Sequence, residues 1–165
     1  DVGSEHDMYR ISRLDSVAGW ARAEMTNAEP GSRFAGTRKT LFVSETSPVL
    51  SVCYRLPPNA DDLSIESCLS PDYYGLLRKG RGGLIPYNGS RWRGFRLDEA
   101  AVWIALAPGE RTGWAAPSKP EVGHGMNVRL HSKDRHFHLL IGCGPADDGA
   151  LRSFGLPEET QPGED

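Results

Sequence analysis

The sequence predicts an all-β protein, an antiparallel β-sandwich with room for one short helix. Two observations carry that expectation. Apolar and polar residues alternate one by one along several short runs, as a strand with one buried face requires. Clusters of Gly, Pro, Asn and Asp break these runs at intervals that suit a sandwich.

Taken in order, Asp15 followed by Ser-Val-Ala-Gly-Trp-Ala-Arg-Ala-Glu-Met has the text of an N-capped helix. Leu41 and Val43 then alternate with Phe42 and Ser44. In Val49 to Leu56, Leu50, Val52, Tyr54 and Leu56 share one face, and Ser51, Cys53 and Arg55 share the other. Pro57-Pro58-Asn59-Ala60-Asp61 is a turn before the Leu63 and Ile65 strand, and Asn88-Gly89 precedes the Arg91–Leu97 run. Asp98 to Leu106 is rich in helix formers, but Val102, Ile104 and Leu106 alternate with Trp103 and Ala105. Val, Trp and Ile suit a sheet, so a strand is expected, with Trp103 in the core. Met126, Val128 and Leu130 form the next strand face, and Phe137, Leu139 and Ile141 the last. Ser132-Lys133-Asp134-Arg135 between them is short enough for a hairpin. The sandwich is expected over residues 1–144. Residues 145–165 read as an acidic, Pro- and Gly-containing flexible tail, with Asp147, Asp148, Glu158, Glu159, Glu164 and Asp165 opposed by Arg152.

A chain of 165 residues suits one domain. Apolar and charged fractions of 38% and 25% are those of an ordinary folded chain. A net charge of -3 supplies no general attraction to nucleic acid or to an anionic membrane, so neither is expected as a partner. No apolar run has the length of a membrane-spanning helix. Cys53, Cys68 and Cys143 are odd in number and lack C-x-x-C spacing, which fits reduced thiols and a cytoplasmic location. A Cys53–Cys68 bridge is the alternative for an exported protein. Because the sequence opens on Asp1 without a hydrophobic leader, a processed or excised product is expected.

Three groups of residues offer chemistry. His136 and His138 are two apart in a strand and project from one face, so both imidazoles can reach one metal ion, with His124 or His131 as a third ligand. The competing reading is the wet face of an edge hairpin. Arg78, Lys79, Arg81, Arg91, Arg93 and Arg96 form a basic stretch interleaved with Tyr87 and Trp92, which suits an anionic partner or a solvated loop. Among the aromatic residues, Tyr73, Tyr74, Tyr87, Trp92 and Trp114 are candidates for packing against sugar rings, with Glu121 as a lone carboxylate near them. The adjacent acidic pairs Asp61-Asp62, Asp98-Glu99 and Asp147-Asp148 point to opposite faces of an extended chain and suit turns better than a glycosidase pair. No serine lies in a nucleophile elbow and Gly80-Arg81-Gly82-Gly83 is not a phosphate loop, so no catalytic residue and no cofactor are assigned.

Three strand texts, Arg38-Lys39-Thr40-Leu41-Phe42-Val43, Leu50-Ser51-Val52-Cys53-Tyr54-Arg55-Leu56 and Leu63 to Asp72, lead to the Trp103 strand and to Trp114-Ala115-Ala116-Pro117-Ser118-Lys119-Pro120-Glu121-Val122-Gly123. This order, over roughly residues 8–142, resembles the C-terminal β-sandwich domain of family 57 glycoside hydrolases, the α-amylase and 4-α-glucanotransferase group. The Arg- and Gly-rich insertion after Tyr74 and the short polar connection at 57–62 depart from that pattern. The resemblance implies a noncatalytic accessory module that packs against the catalytic domain of a parent enzyme and contacts an α-glucan. It carries over no catalytic carboxylate.

Overall fold

The computed structural model describes residues 7–60, 62–69, 85–97, 100–107, 111–117, 121–122 and 125–146. Among them every regular element is a β-strand, all pairings are antiparallel, and no helix is long and apolar enough to cross a membrane. The all-β prediction holds.

The larger sheet has eight strands. From one edge these are β1 (Tyr9–Val17), β2 (Trp20–Asn27), β3 (Arg38–Ser44), β4 (Val49–Arg55), β12 (His136–Cys143), β8 (Ala100–Leu106), β7 (Trp92–Leu97) and β6 (Ile85–Pro86). In the smaller sheet, β11 (Gly125–Ser132) pairs with β5 (Leu63–Leu69) along one edge. Along its other edge it pairs with β9 (Thr112–Ala115) and β10 (Glu121–Val122).

Alternation places Val52, Tyr54, Leu106, Phe137 and Leu139 of the large sheet against Leu63, Ile65 and Leu130 of the small one. Phe34, from the loop after β2, and Leu56 also join this layer. The rings of Tyr54 and Phe137 stack with centroids 5.0 Å apart. A second group, Leu69, Phe95, Ile104 and Val128, extends the layer toward β7.

The far face of the large sheet is also partly buried. Trp103 packs there with Val49, Ala101, Ala105, Leu140 and Ala146. Its indole Nε1 donates to the Gly144 carbonyl at 3.0 Å. A side chain at Gly142 would run into that indole, so glycine is the residue that lets the ring lie flat. Tyr87 holds the chain after β12 in place, its hydroxyl donating to the Ala146 carbonyl and accepting from the Ala146 N–H, each at 2.9 Å.

Three sequence expectations are corrected. The stretch from Asp15 to Met25 is a β1–β2 hairpin, not a helix. Ala18 and Gly19 adopt φ of 48° and 80°, the left-handed pair that a tight two-residue hairpin needs. Ser132 to Arg135 does not close a hairpin between β11 and β12. It carries the chain from one sheet to the other, because both edges of β12 are taken by β4 and β8. The Pro57–Asp62 connection crosses in the same way, from β4 to β5. On β3, finally, Phe42 is buried on the far face beside Trp20 and Cys53, while on the other face Leu41 packs partly against the layer between the sheets and Val43 is 51% exposed. The 145–165 segment lies outside the described residues from 147 onward.

Two predictions follow from this packing. Gly142→Ala should lower stability by about 1–3 kcal/mol through overpacking against Trp103, read as a shift of the urea midpoint at unchanged slope. On the β1–β2 hairpin, the Asp15 carboxylate accepts hydrogen bonds from Arg22 at 2.6 and 2.7 Å and from Arg13 at 2.7 Å. Arg22 foremost, against opposing desolvation and with help from Arg13, holds the Asp15 carboxyl down to about 2. A depressed carboxyl contributes stability above its unfolded value of 3.8 and loses it as pH falls toward 2. Urea melts at pH 5 and pH 2.5 should therefore show a smaller acid-induced loss in Asp15→Asn than in the parent; an equal loss would refute the assignment.

Candidate metal centre

β4 and β12 lie side by side, with Cys53 directly opposite His138 and Arg55 opposite His136. Alternation within each strand sends Tyr54, Phe137 and Leu139 into the core. The same alternation sends Cys53, His136 and His138 to the far face. Cys53 and His138 are thus a direct cross-strand pair, and Cys53 and His136 a diagonal one within reach of a long side chain.

Both imidazoles turn their Nε2 atoms onto the thiol. Cys53 Sγ lies 3.3 Å from His136 Nε2 and 3.4 Å from His138 Nε2. The ring centroids are 5.0 Å apart and tilted by 55°. All three candidate ligand atoms fall within 4.8 Å of one another. Zinc bonds of about 2.3 Å to sulfur and 2.05 Å to nitrogen, at a tetrahedral angle, separate S and N by about 3.6 Å. The two S···N distances are within a few tenths of an ångström of that value, and the two Nε2 atoms, within 4.8 Å of each other, would be drawn to about 3.3 Å around an ion. No other His, Cys, Asp or Glu among the described residues joins it.

The surroundings grade from dry to wet. Cys53 is 1% exposed and packs with Trp20 and Phe42. Ser51 and Leu140, opposite each other in the adjoining row, are also buried. The Ser51 Oγ has no hydrogen-bond partner among the described residues. Thr40, also buried, stands beside Cys53 on β3, and Glu24 stands beyond Thr40 on β2. On the other side His138 is half-buried and His136 is exposed. The thiol forms the floor of the cluster and His136 its rim.

The sequence expectation of two histidines on one face is met, but β12 is a central strand and not the edge of a hairpin. The third member is Cys53. His131 sits on β11 in the other sheet, where its Nδ1 is 3.1 Å from Ser64 Oγ and its Nε2 is 3.8 Å from Asp62. His124 lies outside the described residues. Cys53 is a thiol and not half of a bridge to Cys68. A cysteine far away in sequence could have been paired with the histidines only by knowing the register of β4 against β12.

The other nominated residues are placed as follows. Tyr87 and Trp92 are half-buried against the Trp103 group, their rings 6.1 Å apart. Arg91 turns back on β8, donating to the carbonyls of Leu106, at 3.1 Å, and Ala107. Arg93 donates to the carbonyls of Gly89 and Trp92, and its guanidinium lies 5.1 Å from the centroid of the Trp114 ring. Trp114 is partly buried between the two sheets. Glu121 lies on β10 opposite Met126, with its side chain outside the described residues. Tyr73, Tyr74, Arg78, Lys79 and Arg81 also lie outside them.

A trough of about 430 Å³, lined by Val43, Pro48, Leu50, Val102, Ile141 and Cys143 among others, lies at the opposite end of β4 and β12 from the cluster. It is largely apolar and presents one exposed thiol, Cys143. The chain matches no protein-family model and no curated protein.

Burial separates the two described thiols in reactivity. Brief treatment of the native protein with iodoacetamide should alkylate Cys143 well before Cys53, as followed by peptide mass spectrometry. Equal labelling would show that Cys53 is not covered by its histidines.

Proposed function

We propose that this protein binds a divalent transition-metal ion, zinc foremost, through Cys53, His136 and His138. The observation that carries the reading is the convergence of one thiol and two imidazole Nε2 atoms at 3.3 and 3.4 Å from two neighbouring strands. A thiolate with two imidazoles is a donor set that suits zinc and also copper, while harder ions such as magnesium or calcium prefer oxygen. Three protein ligands and an open fourth position are the arrangement of catalytic zinc sites rather than closed structural ones. A zinc ion held this way would act as a Lewis acid and acidify a water bound to it. The chain's own contribution is a fixed ligand triangle, a dry floor under the sulfur, and access past His136.

The alternative of an accessory module in an α-glucan-processing enzyme is supported by strand order alone. Tyr87, Arg91 and Arg93, three of its proposed contact residues, are bonded to main-chain groups of their own fold, so the geometry favours the metal reading. The third alternative, an anionic partner for the whole Arg78–Arg96 stretch, gains nothing further from Arg91 and Arg93 for the same reason.

The purified protein should take up one equivalent of zinc, measured by elemental analysis and titration calorimetry. Zinc at 100 times its dissociation constant should add about 2.7 kcal/mol to stability, a rise of several degrees in Tm that a chelator reverses. Cys53→Ser and His138→Ala should each lose most of the affinity, and Cys143→Ser should not. Absence of stoichiometric metal from a folded protein, with no response to zinc, would overturn the reading.

A further inference from the structure

β1 is the outermost strand of the large sheet, and among the described residues it pairs with β2 alone. Arg10 through Leu14 are five consecutive exposed residues, with Ile11 at 57% and Leu14 at 70%. An edge strand offers a row of N–H and C=O groups to a further strand, and charges or a bulge commonly guard it. β1 carries both: Arg10, Arg13 and Asp15, and a bulge between Ile11 and Arg13.

The bulge also changes which side chains share a face. Ile11, Met25, Lys39 and Tyr54 form one row across β1 to β4, and Leu14, Ala23, Leu41 and Val52 form another. Tyr54 and Val52 belong to the core layer, so Ile11 and Leu14 both lie on that side of the sheet. Arg10, in the row of Thr26 and Arg38, and Asp15, in the row of Arg22 and Phe42, lie together on the far face. In an unbroken strand an odd separation would put the members of each pair on opposite faces.

This matters for a second β1 laid antiparallel about a two-fold axis that passes between Ser12 and Arg13. Regular strands cannot adopt that register, because every pair would join side chains from opposite faces. With the bulge, the arms on either side of the axis match face to face. Ile11 then stands opposite Leu14 of the second copy on one face, and Arg10 stands opposite its Asp15 on the other. At each end Met8, which is 65% exposed, meets Val17. The two-fold repeats each pair, apolar with apolar and cation with anion, and such cross-strand pairs are favourable. Asp15 and Glu24 offset Arg13 and Arg22 beside the contact, so the incoming Arg10 meets a carboxylate in a balanced cluster.

We infer that β1 is a self-association edge at which two copies of this chain join antiparallel, with Ile11 against Leu14 and Arg10 against Asp15. Main-chain hydrogen bonds between the two edges supply affinity, and the side-chain pairs fix the register. A contact confined to one strand is small, so the dimer is reversible and depends on concentration. This inference is independent of the metal reading.

Sedimentation velocity of the full chain over a range of concentrations should show a monomer–dimer equilibrium. Ile11→Glu and Leu14→Lys change exposed side chains, and their urea midpoints check that each variant is folded. Each alone should weaken the dimer at least about tenfold, since the two-fold places a charge against an apolar residue twice. Mixed together they should regain the parent affinity to within about threefold, because the mixed dimer pairs Glu with Lys once and Leu with Ile once. Val43→Ser, on the same face two strands inward, should leave dimerisation unchanged. A parent chain that stays monomeric, a dimer indifferent to both β1 variants, or a mixture that does not regain affinity would each overturn the inference. Loss of the dimer in Val43→Ser alone would place the contact on the sheet face and overturn it equally.

Discussion

The register of β4 against β12 is the constraint on which both the core and the site depend. These strands lie in the middle of the large sheet and are covered on both faces. Val52 and Tyr54 face Leu139 and Phe137 between the sheets, while Ser51 and Cys53 face Leu140 and His138 on the far side. A slip of one residue in either strand would turn its entire set of side chains over. Tyr54 would leave its stack with Phe137, and Cys53 would enter the core away from both histidines. The interaction that fixes the register is therefore apolar packing, and the cluster inherits its geometry from it. The three side chains of the cluster need no local motif of their own, since their alignment follows from the packing of Tyr54, Phe137 and Leu139 on the other face of the same strands.

The far face shows why a polar cluster is tolerated in a region that is otherwise packed. A buried thiol behaves as a small apolar group, so Cys53 sits beside Trp20 and Phe42 without the penalty of a charge. With two imidazole nitrogens on it, the same sulfur has partners able to accept its proton or donate to it. Loss of that proton turns the pair of strands into a ligand set. Polarity then increases in one direction only, from Leu140 and Ser51 through Cys53 and His138 to His136, Arg55 and solvent. The gradient gives the site a closed back and an open front.

Much of the fold was legible because strand alternation is a local signal. β4, β8, β11 and β12 coincide with runs whose apolar residues recur at every second position, and Trp103 is core as expected. What was not legible is non-local. The helix expected near Asp15 rested on Ala, Glu and Met propensity, which the Ala18-Gly19 turn and pairing with β3 override. The hairpin expected at Ser132–Arg135 failed because a short polar loop can equally arch between sheets, and its length does not distinguish the two. The site was half legible for the same reason. His136 and His138 declare a shared face by their spacing, but Cys53 is more than eighty positions away, and only strand pairing joins it to them.

The same three residues could be read as a cysteine nucleophile with two candidate bases, and the burial pattern is what favours the proposed metal site over that reading. A nucleophilic sulfur must present a lone pair to an incoming electrophile, so it is partly accessible and its base stands to one side. Cys53 is 1% exposed, with Trp20 and Phe42 packed about it and both histidine Nε2 atoms in van der Waals reach of the sulfur. An electrophile would have to displace an imidazole to reach it. A metal ion makes the opposite demand. It sits among the three donors, benefits from an apolar shell around the sulfur, and needs free space only on the side away from the protein. That side is the one bordered by His136, whose side chain is exposed.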